Sequence, residues 1–295
     1  MAPVKDRASL ATSTLIDGIA RVDLRVTDID KALSFYRDVV GLEVARRDTD
    51  SALLTSPGES GFLALDSTGV TRPADPQATG LFHTAIRFPT RTSLGDALAR
   101  LVNADLEIGA GDHLVSEALY IDDPDGNGVE LYWDRPVDQW PPPSGDMLVP
   151  MATLPVDLQS LLDDGKGRAA IEEAAPAATD IGHVHLQVSH VDKSIEFYTK
   201  VLGLDLTARL GGSAGFFSSN GYHHNIGANS WRSRGCKPSE SDRAGLQRIV
   251  FSVTDPDALE TVRSRLLTSG QRASGDAERL VVNDPDGIEL EFVIS

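Results

Sequence analysis

Residues Ile181–Val188, IGHVHLQV, alternate between two kinds of position. Val184, Leu186 and Val188 fall on one side of an extended chain, and His183, His185 and Gln187 on the other. That pattern predicts a β-strand with one packed face. Two histidines facing the same way beside that packed face suggest a metal or catalytic site, against the plainer reading of a polar strand face. The residues that follow carry apolar side chains at helical spacing, and Gly203 ends the helix.

The pattern occurs twice. Ile19–Leu42 (IARVDLRVTDIDKALSFYRDVVGL) aligns without gaps on Ile181–Leu204 (IGHVHLQVSHVDKSIEFYTKVLGL), sharing Val22/Val184, Leu24/Leu186, Phe35/Phe197, Tyr36/Tyr198 and Gly41/Gly203 among others. A weaker pair is Leu81–Phe88 and Leu246–Val253. Each precedes a helix-like segment, Ser93–Asn103 or Asp257–Ser269. Each ends in a strand after an Asp-Pro-Asp-Gly turn, Asp123–Gly126 or Asp284–Gly287. The chain therefore reads as four units of strand, helix and further short strands, near 16–75, 80–134, 181–233 and 245–294. These make an N-terminal half, 1–134, and a C-terminal half, 181–295. Between them, 135–180 carries seven prolines, a density that forbids a strand and most helix, with short helical pieces expected at Leu158–Asp163 and Ala169–Ala175. This segment is expected to cross the surface and to permit pairing between the halves.

Composition adds exclusions. The 295 residues suffice for about two domains. A net charge of −17 leaves no basic stripe for nucleic acid and disfavours anionic membrane surfaces. The single cysteine, Cys236, excludes an internal disulfide and a cysteine-based zinc site, and predicts a reducing, cytoplasmic setting. The N-terminal stretch MAPVKDRASLATSTLIDG lacks the apolar core of a leader, and no apolar run approaches the roughly 18 residues of a membrane span.

The FYxxVxGL helix end and the Asp-Pro-Asp-Gly turn running into Glu-Leu resemble the vicinal oxygen chelate superfamily, which includes glyoxalases, bleomycin-resistance proteins and extradiol dioxygenases. The resemblance covers all four units. YIDDPDGNGVELYWDRP (Tyr120–Pro136) and GYHHNIGANSW (Gly221–Trp231) make it most similar to the catechol 2,3-dioxygenase group. It implies an α+β fold of four βαβββ modules forming two cupped mixed-sheet barrels. It further implies an Fe(II) enzyme, alternatively Mn(II), that cleaves a catechol ring with O₂ to a muconic semialdehyde. The implied partner is a small aromatic diol, and a homo-oligomer is left open. In the superfamily, the first strand of a module gives a metal ligand and the last strand of its partner gives a glutamate; an extradiol site needs two histidines and one glutamate.

Sister modules then act as internal controls. His183 stands where the first module has Arg21, and His185 where it has Asp23. His83, His113 and Tyr120 of the second module stand where the fourth has Arg248, Ala277 and Val281, and a glutamate is kept in both, Glu130 and Glu289. Only modules two and three together offer His83, His183 and Glu130. Pairing one with two, or three with four, would bring a guanidinium against the metal. The metal cup is therefore expected across the two halves, with modules one and four forming a metal-free cup.

The resemblance assigns acid–base work to His224, leaving His223 pointing the opposite way in a structural role. Tyr120 is expected to hydrogen-bond a substrate oxygen, with His113 a further catalytic candidate and His185 a lining residue. His190 reads as a loop residue, Trp133 and Trp231 as pocket or core, and Cys236 as incidental. The alternatives are a hydroquinone-cleaving dioxygenase, a glyoxalase-type lyase or isomerase, which wants a second glutamate, and a non-catalytic bleomycin-resistance-like binding protein, which lacks the triad.

Overall fold

The structure is a computed structural model and describes residues 13–295; the N-terminal segment considered above as a leader lies outside them up to residue 12. The first module runs β1 (Ile16–Arg25), α1 (Ile29–Leu33) widening into a π-helical stretch (Ser34–Val40), β2 (Glu43–Arg47), β3 (Ser51–Thr55) and β4 (Leu63–Asp66). The second runs β5 (Gly80–Arg87), α2 (Arg91–Asn103), β6 (Gly109–Asp112), β7 (Ser116–Asp122) and β8 (Gly128–Asp134). After α3 (Leu158–Asp164), the third runs β9 (Asp180–Gln187), α4 (Val191–Ile195) with its own π-helical stretch (Glu196–Val201), β10 (Asp205–Leu210), β11 (Ala214–Ser218) and β12 (Ile226–Asn229). The fourth runs β13 (Gly245–Val253), α5 (Pro256–Thr268), β14 (Ala273–Gly275), β15 (Arg279–Asn283) and β16 (Glu289–Ile294). Each module is βαβββ, with its first strand parallel to its last.

The strands form two eight-stranded sheets. Antiparallel pairing of β1 with β13 joins modules one and four, and antiparallel pairing of β5 with β9 joins modules two and three. Each sheet thus takes one module from each half of the chain.

Other contacts hold each half together. Tyr36 Oη donates to Asp123 at 3.1 Å, and Tyr198 Oη to Asp284 at 3.2 Å, all buried. The Phe-Tyr and Asp-Pro-Asp-Gly motifs are therefore clamps between the helix of one module and the closing turn of the next. Asp28, Thr90 and Asp255 cap α1, α2 and α5 through side-chain oxygens. Gly203 ends the third module's helix at φ +87, where an added Cβ would lie 1.9 Å from Arg265. One continuous apolar core spans both sheets and includes Val184, Leu186 and Val188 of β9. The polar face of β9 is buried as well.

Residues 135–180 run largely along the surface, but they are not what permits the pairing between the halves. The chain leaves β8 and enters β9 at the same end of β5, where Arg87 pairs with both Asp134 and Asp180. Strands flanking a third lie about 10 Å apart, a gap that a few residues span. The crossed pairing does not need a long connector. Instead, α3 packs on α2 so closely that a Cβ on Gly95 would lie 2.3 Å from the Leu161 carbonyl. Leu154 and Asp112 of β6 exchange backbone hydrogen bonds at 2.8 and 2.9 Å, and Val149 donates to Thr207 of β10 at 3.1 Å. Since β6 and β10 are the two edges of the β5–β9 sheet, residues 149–154 form a strap that links one edge to the other.

Gly128 sets the spacing of β8 against β5, because a Cβ there would lie 2.1 Å from the Phe82 carbonyl. Gly128→Ala should destabilise the protein by about 1–3 kcal/mol through overpacking. Chemical denaturation of the variant checks this, and an unchanged stability would mean that the two strands can separate freely.

Candidate active site

Three adjacent strands carry the central groups. Ala85 of β5 lies opposite Glu130 of β8 on one side and His183 of β9 on the other. The small Ala85 side chain lets the two larger ones approach over it, with His183 Nε2 3.2 Å from Glu130 Oε2. His83 lies opposite His185, two residues along β5, and brings its Nε2 to 2.8 Å from the same oxygen. His83 Nε2 nevertheless makes no aligned hydrogen bond, although it is buried. Two imidazole nitrogens and one carboxylate oxygen therefore converge, all within 4.8 Å of one another. That convergence of buried donors, one left without a hydrogen bond, fits a bound cation.

The electrostatics agree with it. Burial drives the His183 imidazole down to about 4, against the opposing pull of Glu130, so it keeps a free lone pair at neutral pH. Burial also raises the Glu130 carboxyl, but the two neighbouring histidines outweigh it and hold the group well below the usual range. The result is a carboxylate beside neutral imidazole, the protonation a divalent metal requires.

A second group, His183, His223 and His224, also brings its nitrogens within 4.8 Å. His223, however, is already engaged at both ring nitrogens. Its Nε2 lies 2.8 Å from Asp134 Oδ1 and its Nδ1 lies 2.7 Å from His224 Nδ1. Asp134 also accepts from Tyr222 Oη at 2.7 Å, and Tyr222 meets Tyr132 Oη at 2.6 Å. The expected opposition of His223 and His224 is thus corrected. Both precede β12, in chain without strand geometry, so the alternation of a strand does not apply to them.

The remaining candidates surround a cavity of about 400 Å³, within the range of small-molecule sites. His83, His113, Tyr120, Glu130, His183, His185, His224 and Trp231 all line it. His113 Nε2 lies 2.5 Å from Tyr120 Oη, and its Nδ1 meets the Ala152 carbonyl at 2.8 Å. Burial and the nearby Glu130 raise the Tyr120 phenol well above its ordinary value, which keeps it a proton donor. Trp133 is not in the lining and packs against the core instead. His190 is exposed, and its ring bonds the neighbouring Ser189 hydroxyl. The lining residues that sequence reasoning missed are Phe82, Ser116, Leu210 and Phe216, from the strands and their ends, and Met151, Ala152 and Thr153, from the strap.

The other sheet repeats the geometry with different chemistry. Ile288 N bonds Asp284 as Asn127 N bonds Asp123, which aligns Glu291 with Glu130 and Glu289 with Gly128. The counterpart of Glu130 is therefore Glu291, not Glu289. Arg21 and Arg248 occupy the positions of His183 and His83, as expected. Arg248 and Arg279 bond the Glu291 carboxylate, so this cup holds guanidinium where the other gathers imidazole.

A fold of paired βαβββ modules around buried histidines and a glutamate defines a class of chelating small-molecule proteins. Residues 18–131 and 180–292 match the sequence model of the Glyoxalase/Bleomycin resistance protein/Dioxygenase superfamily, and the chain belongs to that superfamily. It is similar to a catechol-2,3-dioxygenase of Bacillus subtilis (strain 168), with 38% identity over 280 residues, 94% of this chain and 97% of the relative. A solved structure from Bacillus subtilis subsp. subtilis str. 168 superimposes with TM-score 0.64 at 12% identity, covering 96% of this chain and 86% of that one. Glyoxalase I from Zea mays gives TM-score 0.56 at 16% identity, covering 97% and 94%. The last two likenesses are likenesses of fold. Among the described residues, no helix is long and apolar enough to cross a membrane.

Asp134 is nearly buried, which raises its pKa, but His223 and the hydrogen bonds from His223 and Tyr222 outweigh this and leave it below the ordinary value. A depressed folded-state pKa contributes stability above the unfolded value, about 3.9 for aspartate, which is lost as pH falls through the folded value. Asp134→Asn should therefore cost roughly 1.5–3 kcal/mol at pH 7, the worth of a charged hydrogen bond. The deficit should shrink below about pH 4, where the wild-type carboxyl also becomes neutral. Urea unfolding of both proteins between pH 3 and pH 7 measures it; a deficit that stays constant with pH would contradict the assignment.

Proposed function

We propose that this protein is an extradiol ring-cleaving dioxygenase that holds Fe(II) between His83, His183 and Glu130 and acts on catechol or a substituted catechol. The observation that carries the reading is the convergence of those three buried groups at one wall of an apolar cavity. Two imidazoles and one carboxylate suit Fe(II) and leave coordination positions for a diol and O₂. The whole-length likeness to a catechol-2,3-dioxygenase supports the same reading. When bound, the ion supplies Lewis acidity toward the diol and a route for electrons to O₂.

The chain's own residues manage the protons. Asp134 accepts a hydrogen bond from His223 Nε2–H, and in the tautomer with its only ring proton there His223 presents a lone pair at Nδ1. His224 must then carry its proton on Nδ1, which leaves its Nε2 as the acceptor. Burial lowers the His224 pKa well below the ordinary value, so the ring stands neutral before the reaction. In this arrangement His224 Nε2 takes a proton from one diol hydroxyl and returns it to an oxygen during ring opening. Tyr120, held as a phenol, has its hydroxyl placed by His113 Nε2, and turning that hydroxyl from His113 toward the substrate lets it donate to a substrate oxygen. Phe82, Phe216 and Trp231 restrict water around the reacting atoms. Glu130 is the one carboxylate among the described residues of the lining, which disfavours a glyoxalase-type site with a second glutamate.

Anaerobic reconstitution with Fe(II) should load about one iron per chain, and catechol plus air should then give a yellow ring-cleavage product. His83→Ala should remove both iron and activity, whereas Glu291→Gln, at the counterpart position of the other cup, should leave iron loading of the folded protein intact. Two irons per chain, or iron lost from folded Glu291→Gln, would overturn the assignment to this cup. His224→Phe should retain iron and lose about 10²–10⁴ in turnover, the usual worth of general acid–base catalysis. Turnover within a few-fold of wild type would remove His224 from the proton chemistry.

A further inference from the structure

The connector that contains the strap is longer than joining β8 to β9 requires. It is hydrogen-bonded to both edges of the metal-cup sheet, through Leu154 to β6 and through Val149 to β10. Between those anchors, Met151, Ala152 and Thr153 line the same cavity as the histidines. Met151 packs in two directions, onto the cluster of Val115, Trp140 and Val149 and onto that of Ala208, Ala214 and Phe216. The cavity's other apolar lining comes from Phe82, Leu210, Phe216 and Trp231, and among the described residues neither arginine nor lysine lines it. Trp231 and Leu210 are large hydrophobic residues that stay about half exposed, at 50% and 42%, and give the cavity an apolar rim facing solvent.

We propose that the strap is the specificity wall of this site. It admits catechols whose ring substituent is uncharged and apolar, limits the substituent's size through Met151, and turns away carboxylated catechols. The proposal rests on the dioxygenase reading above. A substituent carboxylate entering this space would lose its hydration without gaining a guanidinium or ammonium partner. An alkyl substituent meets only side chains that favour leaving water.

The test uses the Fe(II)-loaded protein with 3-methylcatechol, 3-propylcatechol and 3,4-dihydroxyphenylacetate. Anaerobic calorimetric binding and kcat/KM in air are both measured. The methyl compound should exceed the carboxylated one by about 10²-fold or more in both readouts. Met151→Ala should raise the ratio of propyl to methyl compound about tenfold, within the range one or more methylenes command in an apolar pocket. Met151→Arg should raise the ratio of carboxylated to methyl compound by a similar factor. Melting temperatures establish that each variant folds, and the wild-type comparison stands by itself if one does not. Equal binding and turnover of the three compounds by wild type would overturn the proposal while leaving the dioxygenase reading in place. Substituent ratios unmoved by Met151→Ala in a folded protein would overturn the role of the strap. Failure to bind or cleave any of the three would instead overturn the dioxygenase reading itself, and the proposal with it.

Discussion

Each sheet buries a carboxylate at its centre, and a buried carboxylate needs positive charge beside it. Much of the difference between the two cups follows from how that need is met. Glu291 receives Arg248 and Arg279, permanent cations built into β13 and β15. Glu130 faces His83 and His183 instead. The desolvated His183 ring is a poor cation, as its low pKa indicates. The first cup is satisfied by its own side chains. The second has no such built-in cation and leaves room for an added one, and that asymmetry makes one copy of the fold scaffold and the other a candidate site.

The seam between β5 and β9 brings the ligands together. Antiparallel pairing places Ala85 between Glu130 and His183, and a residue larger than alanine there would obstruct the approach. The scaffold sheet has Val250 at the equivalent position. The same seam brings the end of β8 near the Tyr222–His224 segment, since Asp134 reaches both Tyr222 and His223. A single strand pairing thus sets both the row of candidate ligands and the hydrogen-bonded chain that reaches His224.

Much of this was legible in the sequence because the chain contains its own control. Comparing Arg21 with His183 and Arg248 with His83 marked the loaded modules, and the strands of those modules do lie side by side. The misreading of Glu289 has a specific cause. Matching Glu-Leu to Glu-Leu slid the last strand by two residues, and a two-residue slip leaves every side chain on the same face, so the hydrophobic pattern cannot detect it. The turn could have, because Asp284 and Asp123 bond the residue four positions on in both modules. His223 was misplaced for another reason: strand alternation was extended into residues that precede β12.

The strap was illegible for a deeper reason. Proline density says what a segment cannot form, but not where it lies. Its position follows from the sheet. A curled sheet leaves two edges with unpaired backbone groups, and such edges are satisfied by pairing or covering. In the metal cup those edges are β6 and β10, and the strap supplies backbone partners to both. Because it runs between the edges, its intervening residues must pass over the interior that the strands enclose. The side chains at Met151–Thr153 are therefore part of the cavity by geometry. Their chemistry, unlike that of the ligand row, is not confined by strand pairing, so substitutions there can alter the pocket without disturbing the sheet that holds the histidines.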